Sequence, residues 1–149
     1  MEVLVISISK PLLVGIYENK KLIKSYENDG VTSDVLPLIF ENILNEYKIN
    51  RIYYVNTPGS YMAIKVAYVF LKTLSITKNI ELKSCSGFEF NGNSPIKALG
   101  KKYFINDENG IKVDFLDNKS TMSDFKLPDL LENINFSDET LPIYNLPAV

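Results

Sequence analysis

Arg51-Ile-Tyr-Tyr-Val-Asn-Thr-Pro-Gly-Ser-Tyr-Met-Ala-Ile-Lys-Val-Ala67 is the stretch whose reading decides the fold. Arg51–Asn56 is made mainly of β-formers and reads as a buried strand. Thr57-Pro58-Gly59-Ser60 then turns the chain sharply. Pro58 fixes one backbone dihedral, Gly59 permits close approach or a positive φ, and Ser60 can cap a helix that starts at Tyr61. A strand delivered onto a capped helix N-terminus aims backbone amides where an anion can sit. Pro58, Gly59 and Ser60 are therefore the candidate anion- or nucleotide-binding turn. The plainer reading of the same residues is a tight turn with an ordinary cap, since Pro-Gly-Ser is common in loops.

Working outward, the helix from Tyr61 to about Ser75 is apolar nearly all round. Ala63, Ala67 and Leu74 lie along one side, and Ile64, Val66, Phe70 and Leu71 around others. Such a helix buries more than one face, against its own sheet and against a second surface. Upstream, Val3–Ser9, Leu12–Tyr17 and Leu22–Tyr26 read as an antiparallel meander of three strands. A second helix is predicted from about Asp34 to Tyr47. Leu36, Phe40, Ile43, Leu44 and Tyr47 recur at helical spacing, Thr32-Ser33-Asp34 offers N-cap chemistry, and Pro37 stands in the tolerant first turn. Ile80–Ser86 is a further strand. The order β-β-β-α-β-α-β predicts an α/β chain with a mixed sheet and helices over one or both faces.

Beyond Phe90 the character changes, which divides the chain at 1–90 and 91–149. Asn91–Pro95 is a breaker cluster. Ile96–Ile105 and Ile111–Leu116 flank Asn109-Gly110 and read as a hairpin. Asp117–Asp124 is polar loop, Pro128–Ile134 is predicted to form a helix of about two turns, and the tail Leu141–Val149 is expected to be extended.

The 149 residues include 46% hydrophobic side chains, enough for a sizeable core. With 16 basic and 18 acidic residues, no global field draws nucleic acid or an anionic membrane. The pairs Lys20-Lys21 and Lys101-Lys102 read as solvated edges of hairpin-like segments. The apolar start Val3–Ile8 is too short for a signal peptide and lacks a cationic leader. Tyr61–Leu74 contains Lys65 and Lys72, against a membrane span. Cys85 is the one cysteine, so no internal disulfide is expected; it reads as a small buried hydrophobe in a cytoplasmic chain. There is no histidine. That removes the commonest general base, the commonest zinc ligand and every imidazole-based triad, leaving only an Asp/Glu site open to an enzyme.

Thr57-Pro58-Gly59-Ser60-Tyr61-Met62-Ala63-Ile64-Lys65-Val66-Ala67 resembles the Gly-Pro-Gly-Ser-Phe-Thr-Gly-Val-Arg-Ile-Gly signature of the TsaB (YeaZ) family. Lys72-Thr73-Leu74-Ser75 is similar to the family's Lys-Gly-Leu-Ala, Val35–Ile39 to its Leu-Leu-Pro-x-Ile helix start, and Leu141–Tyr144 to its terminal Pro-x-Tyr element. Val3–Tyr17 resembles its opening strand pair. The resemblance covers Val3–Ser86 and weakens beyond. It implies an actin-like ATPase (ribonuclease H-like) fold with a truncated second lobe. The implied function is that of the non-catalytic subunit in bacterial synthesis of threonylcarbamoyladenosine in tRNA.

The chain departs from that pattern at informative places. Ser7 stands where the family's first strand has Asp, Val31 where many relatives have His, and Thr57, Ala63 and Ala67 where it has Gly. Lys65 replaces Arg, and the Asp-Ala-Arg strand appears as Ala98-Leu99-Gly100. Ser7 cannot supply the carboxylate that positions a metal, so ATPase or kinase chemistry is not expected. The glycoprotease label carried by some relatives would need metal-binding histidines, which are absent. No catalytic residue, metal or cofactor is expected.

The resemblance implies instead a scaffold that docks through its two long helices to a TsaD-like catalytic subunit, with a TsaE-like ATPase joining the pair. tRNA is reached only through that complex, and no membrane is involved. Pro37, Phe40, Leu44, Ala63, Val66, Ala67 and Phe70 are the contact candidates. A homodimer through the same helices is compatible with this. The alternative is a small nucleotide- or tRNA-binding module of the same fold, using the Pro58-Gly59-Ser60 turn and nearby lysines.

Overall fold

Val3-Leu-Val-Ile6 is apolar at every position, and its side chains alternate between two buried faces, as a central strand requires. The computed structural model describes residues 1–98, 100–116 and 123–144. The elements in order are β1 (Glu2–Ile6), β2 (Leu12–Glu18), β3 (Lys21–Asn28), α1 (Thr32–Glu46), β4 (Arg51–Thr57), α2 (Tyr61–Lys78), β5 (Glu81–Ser86), β6 (Ile96–Lys97), β7 (Lys102–Asp107) and β8 (Gly110–Phe115). A single 3₁₀ turn, Gly87–Phe90, follows β5.

β1 to β5 form one mixed sheet of order β3-β2-β1-β4-β5. The β1–β2–β3 meander is antiparallel, with Val5 opposite Val14, as the alternation of strands and polar turns predicts. β4 runs parallel to β1 with Val3 opposite Ile52, and β5 parallel to β4 with Tyr54 opposite Ser84. β6, β7 and β8 form a separate three-stranded antiparallel sheet.

Both helices cover the same face of the five-stranded sheet. Leu36, Phe40 and Ile43 of α1 and Ala67 and Leu71 of α2 pack on Val3, Val5, Val14, Ile16, Ile52 and Tyr54. Phe40 and Phe70 meet edge to face at 5.6 Å, joining the helices. Ser60 caps α2, its Oγ accepting from the Ala63 amide at 3.4 Å. At α1 the cap differs from expectation. Val31 occupies the position with no side-chain cap bond, and its carbonyl accepts from the amides of both Asp34 and Val35 at 3.0 Å. The helix therefore starts at Thr32, so Thr32-Ser33 is spent inside the first turn.

The opposite face carries Leu4, Ile6, Tyr17, Tyr53, Val55 and Cys85, and among the described residues no α-helix lies over it. The residues predicted to form a helix at Pro128–Ile134 are instead part of an irregular strap that crosses this face. Leu127 and Leu131 are buried under it, and Phe136 stacks on Tyr53 at 3.9 Å. The strap's backbone is claimed by the sheet edges. At β3 the Leu22 amide donates to Asp129 O and the Leu131 amide to Lys20 O, each at 2.9 Å. At β5, Ser84 and Ser137 exchange two bonds of 2.9 Å. Those bonds replace the i to i−4 ladder, which is why apolar spacing did not become a helix here. The Tyr17 hydroxyl donates to Pro128 O at 2.7 Å, and Tyr54 donates to Thr140 O.

A second difference concerns Ile96–Ile105, expected as one strand. It is broken between β6 and β7, where Gly100 adopts φ +61°, a turn conformation favoured by glycine. Leu99, most of the Asp117–Asp124 loop and residues 145–149 of the tail lie outside the described residues.

An ion-pair row closes the N-terminal end of the sheet. Glu2 accepts from Lys20 at 3.2 Å, from Arg51 at 3.1 Å and from the Tyr53 hydroxyl; Arg51 also pairs with Glu81, and Lys83 with Glu81 and Asp138. Burial pulls the Glu2 carboxyl up, but those three donors outweigh it and hold it below the ordinary carboxylate value. Cys85 is buried, and desolvation drives its thiol far above the usual range. Among the described residues no helix is long and apolar enough to cross a membrane.

Candidate partner-docking groove

The α1–α2 layer leaves a groove of about 440 Å³ open to solvent. Thr32, Ser33, Leu36 and Pro37 line one wall; Met62, Lys65, Val66, Val69, Phe70 and Thr73 line the other.

The seven contact candidates separate by burial. Pro37 is exposed, while Leu44, Ala63, Val66 and Phe70 are half-buried. Of these, Pro37, Val66 and Phe70 line the groove. Leu44 packs at the margin of the helix-face core, and Ala63 opens onto an adjoining cleft. Phe40 and Ala67 are corrected: at 1% and 0% exposure they belong to the core under the helices and offer nothing to a partner. Helical spacing alone left the phase of both apolar stripes undetermined, because residues on three sides of α2 are apolar.

The sequence reading missed Leu38, Met62, Val69 and Ile76, large apolar side chains exposed between 56% and 71%. A signal was present in the seven-residue spacing of Met62, Val69 and Ile76, which keeps them on one side of α2.

The cleft, of about 310 Å³, lies at the C-terminal ends of β1 and β4. Ser7, Ser9 and Ser60 line it together with Lys10 and Asp29. Two of its hydroxyls are engaged: Ser7 donates to Ala63 O at 3.4 Å, and Ser9 to Pro11 O at 2.8 Å. Of the candidate turn, only Ser60 reaches the cleft. Pro58 is buried, and Gly59 lies so close to Ile8 that a Cβ there would fall 2.4 Å from its Cγ2. The turn's glycine is thus explained by packing against Ile8. Above β4, the Asn56 carbonyl accepts from the Ile143 amide at 3.0 Å, and Tyr144 contacts Tyr61 at 4.4 Å between ring centres. Among the described residues no group of three or more Cys, Asp or Glu side chains is placed to hold a metal ion.

No protein-family model matches the chain, and no curated protein does. Solved structures do. YeaZ from Pseudomonas aeruginosa superposes with a TM-score of 0.60 at 8% identity, over 82% of this chain and 66% of its own. An uncharacterized protein with similarity to peptidase YEAZ, also from Pseudomonas aeruginosa, gives 0.56 at 11% identity, over 99% of this chain and 68% of its own. The chain therefore spans about two thirds of the length of the structures it matches. At these identities the likeness speaks for architecture. The meander, the two helices on one face and the parallel β1–β4–β5 core are a YeaZ-like version of the actin-like ATPase fold.

Proposed function

We propose that this chain is a docking subunit without a catalytic site of its own. Its α1–α2 groove receives a TsaD-like catalytic subunit for threonylcarbamoyladenosine synthesis, a TsaE-like ATPase joins the pair, and tRNA is met only through the complex. The observation that carries the reading is the open apolar groove on the helix layer beside exposed Leu38, Met62 and Val69. Contiguous exposed apolar surface on a helix pair is a docking feature, because leaving it in water costs free energy that a partner recovers.

The test is co-purification with the TsaD-like subunit. Val66→Arg places a charge in the groove from a half-buried position, so the chain should stay folded by circular dichroism and lose the partner. Capture undiminished by that change would overturn the reading, as would turnover of ATP or modification of tRNA by the chain alone. A nucleotide- or tRNA-binding module would use the cleft instead. Among the described residues Lys10 is the one cation lining it, and Ser7 supplies no carboxylate for a metal. Micromolar binding of ATP, ADP or tRNA by the lone chain would reverse the preference.

A further inference from the structure

The strap engages both edges of the five-stranded sheet, at Lys20 and Leu22 beside β3 and at Ser84 on β5. The small sheet is different. Its order β6-β7-β8 leaves β8 outermost, and among the described residues no strand pairs with the far side of β8. Every residue of β8 is exposed except half-buried Val113.

The ladder fixes which backbone groups face outward. The Ala98 amide donates to Lys102 O at 3.0 Å and Ile96 stands opposite Phe104, so the even-numbered residues of β7 turn their backbone to β6. The odd-numbered ones turn to β8, where Asp107 meets Gly110 and Ile105 meets Lys112. Direction alternates along a strand, so the amides and carbonyls of Ile111, Val113 and Phe115 point away from the sheet. The Phe115 amide is held instead by Asp114 Oδ1 at 2.7 Å. Ile111, Val113 and Phe115 also share one side-chain face: Val113 lies opposite buried Phe104, and Lys102 Nζ stands 5.5 Å from the Phe115 ring centre. Ile111 and Phe115 are 38% and 61% exposed. Lys112 and Asp114 occupy the other face, Lys112 in an exposed pair with Asp107 at 3.5 Å.

We infer that β8 pairs antiparallel with β8 of a second copy of this chain, about a two-fold axis at Val113, joining the two small sheets into one. The strand reads apolar, Lys, apolar, Asp, apolar, which is its own complement when reversed. Val113 then faces its counterpart, Ile111 faces Phe115 twice, and Lys112 faces Asp114 twice. The outward-facing residues oppose one another as hydrogen-bonded pairs. Lys112 and Asp114 therefore fall at the other positions, where side chains approach most closely. Moving the axis to Lys112 or to Asp114 sets like charges directly against each other, which is destabilising. Charges on an edge strand ordinarily ward off strand addition. Here two opposite charges two residues apart disfavour the neighbouring registers and favour the central one. A foreign strand would have to reproduce this order, whereas a second copy carries it already. The surface lies on the small sheet, away from the helix-layer groove, so the inference does not rest on the docking proposal.

Sedimentation of the full chain tests it. A pair of edge strands is a small interface, so the wild type is followed up to about 1 mM, where dimer is expected. Lys112→Asp sets acid against acid at both charge pairs, and Asp114→Lys sets base against base. Each alone should raise the dissociation constant about ten-fold or more. An equimolar mixture of the two should recover the wild-type affinity, because opposite charges then meet again at both places. Both changes in one chain should also dimerise like the wild type. Ile111→Pro removes an outward donor that β7 does not use, so the dimer should be lost while circular dichroism stays unchanged. A wild type monomeric at about 1 mM overturns the inference. So does a dimer indifferent to the single reversals, a mixture no better than its components, or a double exchange as weak as either single change. A dimer that survives Ile111→Pro but is lost on Val66→Arg belongs to the helix layer and overturns it as well. If the charge variants fail to fold, Ile111→Pro decides.

Discussion

The two faces of the central sheet solve the same problem by different means. On one, α1 and α2 satisfy their own backbones and contribute only side chains to the core. On the other, the strap from Phe125 to Tyr144 covers Tyr53, Val55 and Cys85 with Leu127, Leu131 and Phe136, and borrows its backbone partners from β3 and β5. A helix layer can present its outer side to a partner without losing its own hydrogen bonds. The strap has no such independent layer: its backbone pairs with the sheet edges, and Leu127, Leu131 and Phe136 pack on the same sheet. The difference teaches why an apolar groove can open on the helix layer without loss of its backbone hydrogen bonds.

The largest effect that would test this contrast is at Phe40. Phe40→Ala removes a ring from beneath both helices and should cost about 3 to 5 kcal/mol in the denaturant-unfolding free energy. Next comes the strap. Leu131→Ala should cost about 2 to 4 kcal/mol if the strap is as integral to the core as its burial indicates, and a loss under about 1 kcal/mol would break the equivalence of the two faces. At the rim where the faces meet, Gly59→Ala forces a Cβ against the branched carbon of Ile8 and should cost about 1 to 3 kcal/mol. A neutral outcome there would mean that the turn is chosen for something other than packing.

The smallest effect concerns the ion-pair row at the sheet's N-terminal end. Glu2 has a folded pKa depressed below its ordinary value of 4.5, so its contribution is present above that value and is lost as pH falls through the folded pKa. Thermal stability of the wild type should therefore decline on acidification below about pH 4.5. Glu2→Gln should be less stable at neutral pH and show a shallower acid slope. An unchanged slope would remove Glu2 from the explanation of acid sensitivity.

The strands and helices were legible because each is apolar with a clear period: four-residue runs for the buried β1 and β4, helical spacing in α1 and α2, and polar turns between. The phase of the helices was not legible. Phe40 and Ala67 look like surface candidates when a stripe is wide, and only the sheet beneath decides which side is inside. The strap was illegible for another reason. Leu130, Leu131 and Ile134 have spacing compatible with a helix, but the amide of Leu131 finds Lys20 O, more than a hundred residues earlier in the chain. Local propensity lost to distant partners. The cleft and groove were foreseen only in part: of the Pro58-Gly59-Ser60 turn, Pro58 is buried, Gly59 packs on Ile8, and Ser60 lines the cleft.

The contact from Tyr17 to Pro128 spans 111 positions in sequence, and the bridge at Ser84 waits for Ser137. During synthesis, the β1–β5 core can therefore assemble while one whole side of it, including Tyr53 and Val55, still faces water, with the margins of β3 and β5 unpaired. Until the strap arrives the nascent chain is an adhesive plate, and the segment from Phe125 to Tyr144 acts as its seal.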